Sequence, residues 1–352
     1  MARPHAAAIV EDAWHRRVNA VLRARGWQTR IVSHTGYGSE AFVRVLGRVL
    51  LTRRPEENPG ADADAPVREL RAAEEEQRGW RAFITAPAMN VPVTITVGAR
   101  TVHTRSDRSG YIDVQVRDHG LDPGWHDVRV ESPDAEPVDA AVLVVSPEAT
   151  FGIISDIDDT VITTSLPRPL IAAWNTFVRT EDARHVVAGM ATLYRELLSE
   201  HPDAPIVYVS TGAWNTSPHL NRFLKKHGYP LGPLLLTDWG PTNTGWFRSG
   251  QEHKRSCLHR LANELPHVQW LLVGDDGQHD PRIYGDFAEE RPDKVRAIAI
   301  RELTPTEQVL SHGIPVSNEE LAPRHRQHRD VPVCRAGDGY GLLRLLRVAL
   351  GG

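Results

Sequence analysis

Apolar side chains recur at helical spacing near the start of the chain. Val10, Trp14, Val18, Val21 and Leu22 fall on one face, and Arg16, Arg17, Arg23 and Arg25 lie largely elsewhere. This predicts one amphipathic helix over residues 8–25, within an N-terminal segment 1–30. Two readings stay open: its apolar face docks on the protein, or the helix lies on an anionic membrane. From residue 31 to 150 the period shortens. Ala41–Leu50, Val91–Val97, Thr101–Thr104, Tyr111–Val116, His126–Val130 and Ala140–Val145 alternate or are β-branched. Turn signals separate them, such as Asp107-Arg108-Ser109-Gly110 and Asp122-Pro123-Gly124. Short strands at close spacing predict a sandwich-like all-β domain. The Pro- and acid-rich stretch Pro55–Gln77 interrupts it and reads as an exposed insertion.

At Phe151 the pattern changes again. Apolar strands at Phe151–Ile154, 206–210, 234–237, 269–273 and 295–300 alternate with helical patterns at 188–200, 217–227, 252–265 and 281–290. This is the alternation of a parallel sheet covered by helices on both faces. Val331–Cys334 and Gly341–Leu350 supply a last strand and helix. A boundary near residue 150 follows, with an α/β domain over 151–352.

Composition narrows the function. The 352 residues carry a net charge of -4, which disfavours a general nucleic-acid binder. No apolar run reaches the ~18 residues of a membrane span, and no leader pattern opens the chain, so a cytoplasmic protein is expected, with any membrane contact peripheral. Cys257 and Cys334 form no disulfide framework and no metal-ligand pair. Among 41 basic residues, lysine occurs only at Lys225, Lys226, Lys254 and Lys294. A lysine kept where arginine is the default is therefore informative.

The chemistry concentrates at strand ends. Ile153-Ile154-Ser155-Asp156-Ile157-Asp158-Asp159-Thr160 is an apolar strand running into Asp-x-Asp-x-Thr. In open α/β sheets the ligand site lies beyond the carboxyl ends of the strands. Asp156 and Asp158, two apart in extended chain, can share that crevice. Two adjacent carboxylates need a cation or a proton between them. Strand 206–210 ends in Ser210, Lys254 opens a helix, and Trp270–Val273 runs into Gly274-Asp275-Asp276, with Asp280 following. A carboxylate pair, a hydroxyl, a lysine and further carboxylates are the parts phosphoryl transfer uses.

These motifs resemble the haloacid dehalogenase superfamily of Asp-nucleophile phosphatases. The wider string resembles the actin-patch-type phosphatidate phosphatase family and its bacterial relatives. It comprises Ser155–Thr160, Val209-Ser210-Thr211-Gly212-Ala213-Trp214, Gly232–Gly240, His253-Lys254-Arg255 and Val273–Asp280. The resemblance covers roughly 150–352. It implies a haloacid-dehalogenase-like α/β domain with a small cap at about 163–187, preceded by the all-β sandwich-like domain. It also implies Asp156 as nucleophile, Asp158 as acid and base, and Ser210 and Lys254 on the phosphoryl oxygens. Mg²⁺ is implied on Asp156, Asp158 (through its carbonyl) and Asp275, with Asp280 or Asp276 in support. Thr160, Thr211 and Trp214 are expected on the substrate side.

Substrate choice is read from the cap. Neither insertion point leaves room for a large lid, which suits a bulky or membrane-held substrate. Leu170, Ile171, Trp174, Phe177 and Val178 form an apolar stripe; Trp214, Trp239 and Trp246 fall near the site. The expected activity is Mg²⁺-dependent hydrolysis of phosphatidate to diacylglycerol and phosphate. The alternatives are a phosphatase for a soluble phosphate monoester or a phosphoprotein, and a non-catalytic binding protein. A serine hydrolase is disfavoured because Ser210 lacks a Gly-x-Ser-x-Gly frame. A zinc enzyme is disfavoured because no His-Glu-x-x-His occurs among the 17 histidines.

Overall fold

The computed structural model describes residues 16–53, 85–164, 184–237, 250–277, 279–312 and 331–351. Residues 8–15 of the expected N-terminal helix, the insertion at 55–77, the cap stretch 165–183 with its apolar stripe, Trp239 and Trp246 lie outside the described residues.

The N-terminal helix, α1, covers residues 16–24 of the described chain. It ends at Gly26, whose φ of 81° suits a glycine terminator. Eight strands follow: β1 (Trp27–Ser39), β2 (Phe42–Arg53), β3 (Thr85–Pro87), β4 (Pro92–Val97), β5 (Arg100–Arg105), β6 (Tyr111–Arg117), β7 (Gly124–Ser132) and β8 (Ala135–Val145). They form one sheet in the order β3-β2-β1-β8-β7-β4-β5, with β6 paired to β2. Pairing is antiparallel except between β1 and β8, whose ends run parallel from Gly36↔Val142 to Ser39↔Val145. Alternate residues of these strands (Val43, Val45, Val93, Ile95, Val128, Val130, Val142) close the core of this half. Strand β1 begins earlier than residue 31. The helix ends within one residue of the expected position 25, and from Trp27 the chain is already extended, with the buried Thr29 and Ile31 alternating with the exposed Gln28 and Arg30.

The second half holds a six-stranded parallel sheet. Its strands are β9 (Phe151–Asp156), β12 (Ile206–Ala213), β13 (Leu234–Thr237), β14 (Gln269–Asp275), β15 (Val295–Arg301) and β16 (Val333–Ala336). A short hairpin, β10 (Ile162–Thr164) and β11 (Arg184–Val186), flanks the region expected to hold the cap. The helices are α2 (Met190–Glu200), α3 (Ser217–Lys226), α4 (Gly250–Glu264), α5 (Asp280–Glu290), α6 (Pro305–His312) and α7 (Gly339–Leu350). The order β13-β12-β9-β14-β15-β16 places the first strand centrally and reverses direction beside it. Every ladder is parallel. Helices cover both faces, so the strands read as unbroken apolar runs. Ile153, Tyr208, Leu271 and Ala299 pack toward α2, α3 and α7. Ile154, Val207, Leu272 and Ile298 pack toward α4 and α5, and this second core also takes in Tyr37, Phe42, Leu46 and Val145 of the β-rich half.

Candidate active site

The strand order creates a crevice where β9 and β14 meet and the connections leave in opposite directions. Such switch points bind ligands in open α/β sheets. Ser155 pairs with Val273, so the next residues outward are Asp156 on β9 and, two beyond Val273, Asp275 on β14. Two further groups come from helix starts. Lys254 stands near the beginning of α4 and Asp280 opens α5. The close approach of Asp280 depends on Gly274: a Cβ there would stand 2.4 Å from Asp280 Oδ2 and 2.7 Å from the Tyr284 ring.

These four side chains form one buried cluster. Lys254 Nζ lies 2.8 Å from Asp156 Oδ1 and 2.5 Å from Asp280 Oδ1. No member is more than 3% exposed. Burial pushes the Asp156 carboxyl well above the usual carboxylate range; the Lys254 charge opposes this, and Asp280 and Asp158 add to it. Asp275 is raised in the same way, by burial first and then by Asp280 and Asp156. Burial pulls the Lys254 ammonium down, but Asp156, Asp280 and Asp275 outweigh it and shift the group upward, so it stays charged.

One oxygen from each of Asp156, Asp275 and Asp280 can be chosen so that all lie within 4.8 Å of one another. Asp275 Oδ2 and Asp280 Oδ2 are buried and accept no hydrogen bond among the described residues. One lysine cannot neutralise three such carboxylates. The set is all hard oxygen, so it fits a metal ion of the oxygen-preferring kind.

Asp158 stands outside that group of three but close enough for its charge to act on Asp156. Its Oδ2 accepts from Ser210 Oγ at 2.9 Å, and Ser210 Oγ in turn accepts from the Gly212 amide at 2.9 Å. Thr160 is buried and donates to Asp156 Oδ2 at 3.4 Å, which places it on the carboxylate expected to attack. The Thr211 carbonyl accepts from Thr237 Oγ1 at 2.7 Å. Trp214 lies half-buried against β-rich-half residues, its ring 4.5 Å from that of His34 and 6.1 Å from that of Tyr111. Asp276 turns from the cluster to accept from the Leu303 amide at 2.8 Å. Of the two supports considered for the metal, Asp280 is thus the one brought to the cluster.

Sequence reasoning missed Arg301. It ends β15 and is nearly buried. Its Nη1 donates to the Asp159 carbonyl at 2.6 Å and its Nη2 to Glu307 at 2.6 Å. Asp159 adopts φ 58°, and its amide donates to the Ile162 carbonyl at 2.7 Å. Arg301 therefore holds a left-handed residue immediately after Asp158. The signal was present: a charged residue closing the apolar strand Val295–Arg301.

The catalytic-domain family of phosphatidate phosphatase APP1 matches residues 151–302. That span contains the whole carboxylate–lysine cluster. Phosphatidate phosphatase APP1 of Saccharomyces cerevisiae is 29% identical over 172 residues, which are 48% of this chain and 29% of that protein. An uncharacterized protein of Schizosaccharomyces pombe is 28% identical over 162 residues, covering 44% of this chain and 25% of its own length. The chain thus spans less than a third of either relative. Among solved structures, an uncharacterized protein from Listeria monocytogenes serotype 4b aligns over 57% of this chain and 99% of its own, at 12% identity and a TM-score of 0.36. The HAD domain of effector protein Lem4 from Legionella pneumophila covers 44% of this chain and 87% of its own, at 12% identity and a TM-score of 0.31. Neither structural likeness is close enough to argue from. No described helix is long and apolar enough to cross a membrane.

Proposed function

We propose that this chain is a Mg²⁺-dependent phosphatase of the haloacid-dehalogenase type, working through an aspartyl-phosphate and hydrolysing phosphatidate to diacylglycerol and phosphate. The observation that carries the reading is the buried cluster of Asp156, Lys254, Asp275 and Asp280 at the β9/β14 switch point, inside the residues matched by the APP1 catalytic-domain family.

Each residue has a part that its surroundings suit. Asp156 is the nucleophile: a carboxylate oxygen attacks phosphorus while the bond to the leaving oxygen breaks. Asp158, outside the metal group and beside Ser210, gives its proton to that oxygen. It then takes a proton from the water that attacks the aspartyl-phosphate, so that phosphate leaves and both carboxyls return to their starting states. Lys254, held charged and already 2.8 Å from Asp156, binds phosphoryl oxygens as negative charge gathers there. Ser210 adds a neutral donor on the other side. Asp156, Asp275 and Asp280 are the side chains that would hold Mg²⁺, with the Asp158 carbonyl as a further oxygen. When bound, the ion neutralises charge on the phosphoryl group and on the carboxylates around it.

The phosphatidate assignment follows the relative's activity. A soluble monoester or phosphoprotein is the competing substrate class. Phosphate release is measured with and without Mg²⁺ on phosphatidate in mixed micelles and on a panel of soluble phosphate esters. Preference for the micelles, lost in Asp156→Asn while the variant keeps its unfolding curve, is the expected result. Activity in Asp156→Asn overturns the nucleophile assignment, and preference for the soluble panel overturns the lipid assignment.

A further inference from the structure

The family match leaves β1–β8 without a role. Among the contacts that join that half to elements that carry the site, two are built on hydrogen bonds from β1. The first converges on Glu264, the last residue of α4. Tyr37 Oη donates to its Oε2 at 2.6 Å, and Arg44 Nη2 and Gln115 Nε2 each donate to its Oε1 at 2.7 Å. Lys254 stands at the other end of the same helix.

The second connection is His34 on β1, only 5% exposed. Its Nδ1 shares a hydrogen bond with Ser217 Oγ at 3.2 Å, and its ring lies against Trp214. Ser217 opens α3, and Trp214 begins the single 3-10 turn between β12 and α3. His34 therefore touches both ends of the turn that follows Ser210. That turn is tied internally. Thr216 Oγ1 donates to the Ala213 carbonyl at 2.7 Å, Thr237 Oγ1 donates to the Thr211 carbonyl, and the Gly212 amide donates to Ser210 Oγ. A shift at Trp214 or Ser217 thus reaches Ser210. The placement of His34 is itself built in. The β1–β2 register shifts immediately after it, between His34 and Tyr37, and such bulges re-aim a side chain.

We infer that His34 is a positioning residue of the site, through which the β-rich half sets the Ser210 hydroxyl against Asp158. This rests on the phosphatase reading above. Displacements of about 1 Å in a catalytic constellation cost on the order of 10²-fold in rate, so a loosened turn should cost about tenfold.

The test uses the full chain with His34→Ala, His34→Phe and His34→Asn. The phenylalanine keeps the ring contact with Trp214, and the asparagine keeps a polar atom for Ser217. Steady-state phosphate release from phosphatidate micelles with Mg²⁺ gives kcat and KM, normalised to the folded fraction from unfolding curves. The alanine variant is expected to lose about tenfold in kcat with KM within about twofold, because the contact acts on geometry rather than on substrate. The two conservative variants should recover part of the loss. Unchanged kcat per folded molecule in the phenylalanine and asparagine variants overturns the inference even if the alanine variant does not fold. A loss that falls wholly on KM overturns it as well. A wild-type chain that releases phosphate from neither phosphatidate nor soluble esters overturns the phosphatase reading and this inference with it; an active wild type with unaffected variants overturns the inference alone.

Discussion

The same histidine should make the fold acid-sensitive in a way that can be isolated from every other titrating group. Burial, and next the nearby Arg48 charge, lower the pKa of His34 from 6.5 to about 3. Unfolding returns the ring to water and to about 6.5. Between those two values the unfolded chain binds one more proton than the folded one, so stability falls as pH falls, by about 1.4 kcal/mol per pH unit. Above pH 6.5 both states are neutral at this position and the contribution is constant. From pH 7 to pH 4 the loss attributable to His34 comes to ~3 kcal/mol. Urea unfolding of the wild type and of His34→Phe, at pH 7, 6, 5 and 4, measures it. The phenylalanine variant keeps the other sixteen histidines and every carboxylate, so their effects drop out of the difference. The wild type should lose ground to the variant by ~3 kcal/mol over that range, with the change beginning near pH 6.5. A difference between the two proteins that does not vary with pH would refute the assignment of His34 as a neutral buried imidazole.

Three other substitutions test the site. Lys254→Met removes the only described cation against Asp156 and Asp280; it should abolish phosphate release and lower urea stability by about 3–5 kcal/mol, the usual effect of leaving buried charge uncompensated. Gly274→Ala drives a methyl into Asp280 and the Tyr284 ring; it should cost about 1–3 kcal/mol and weaken Mg²⁺ binding in calorimetric titration, whereas unaltered Mg²⁺ affinity would remove Asp280 from the metal set. Arg301→Ala strips the Asp159 carbonyl and Glu307 of their shared donor and should cost ~3 kcal/mol in urea unfolding, with Arg301→Lys recovering less than half because one ammonium cannot serve two directions as the guanidinium fork does.

The parallel sheet was legible because buried strands of this kind are continuous apolar runs. Leu234–Leu236 and Trp270–Val273 announce themselves, and the polar residues that close the strands stand out against them. Asp156, Asp275 and Lys254 could be read as partners because the fold rule gathers strand ends and helix starts at one edge. Strand β1 is absent from the strands the pattern predicts, the first of which is Ala41–Leu50, because Gln28, Arg30 and Ser33 break its apolar content. Its inward residues include Thr29 and His34 rather than a run of aliphatics. The hairpin β10–β11 has three residues per strand, too few for any period to show. The roles of His34 and Arg301 were illegible for a different reason. Their partners Ser217 and Asp159 lie 183 and 142 positions away, and nothing local marks a histidine or an arginine as tied across the molecule. Trp214 was expected toward the substrate on its position after Ser210; its ring contacts are with His34 and Tyr111 of the other half.

The parallel pairing of β1 with β8 has a consequence for synthesis. That ladder, Gly36–Ser39 against Val142–Val145, cannot close until residue 145 has left the ribosome, and Phe151 begins β9 six residues later. Units completed early in a chain generally fold first. Residue 145 leaves the ribosome before α3 and α4 do, so by then the strand bearing His34 and Tyr37 is joined on both sides, to β2 and to β8. Helices α3 and α4 then emerge onto a finished surface, so these two carriers of the site are seated by the first-made part of the chain.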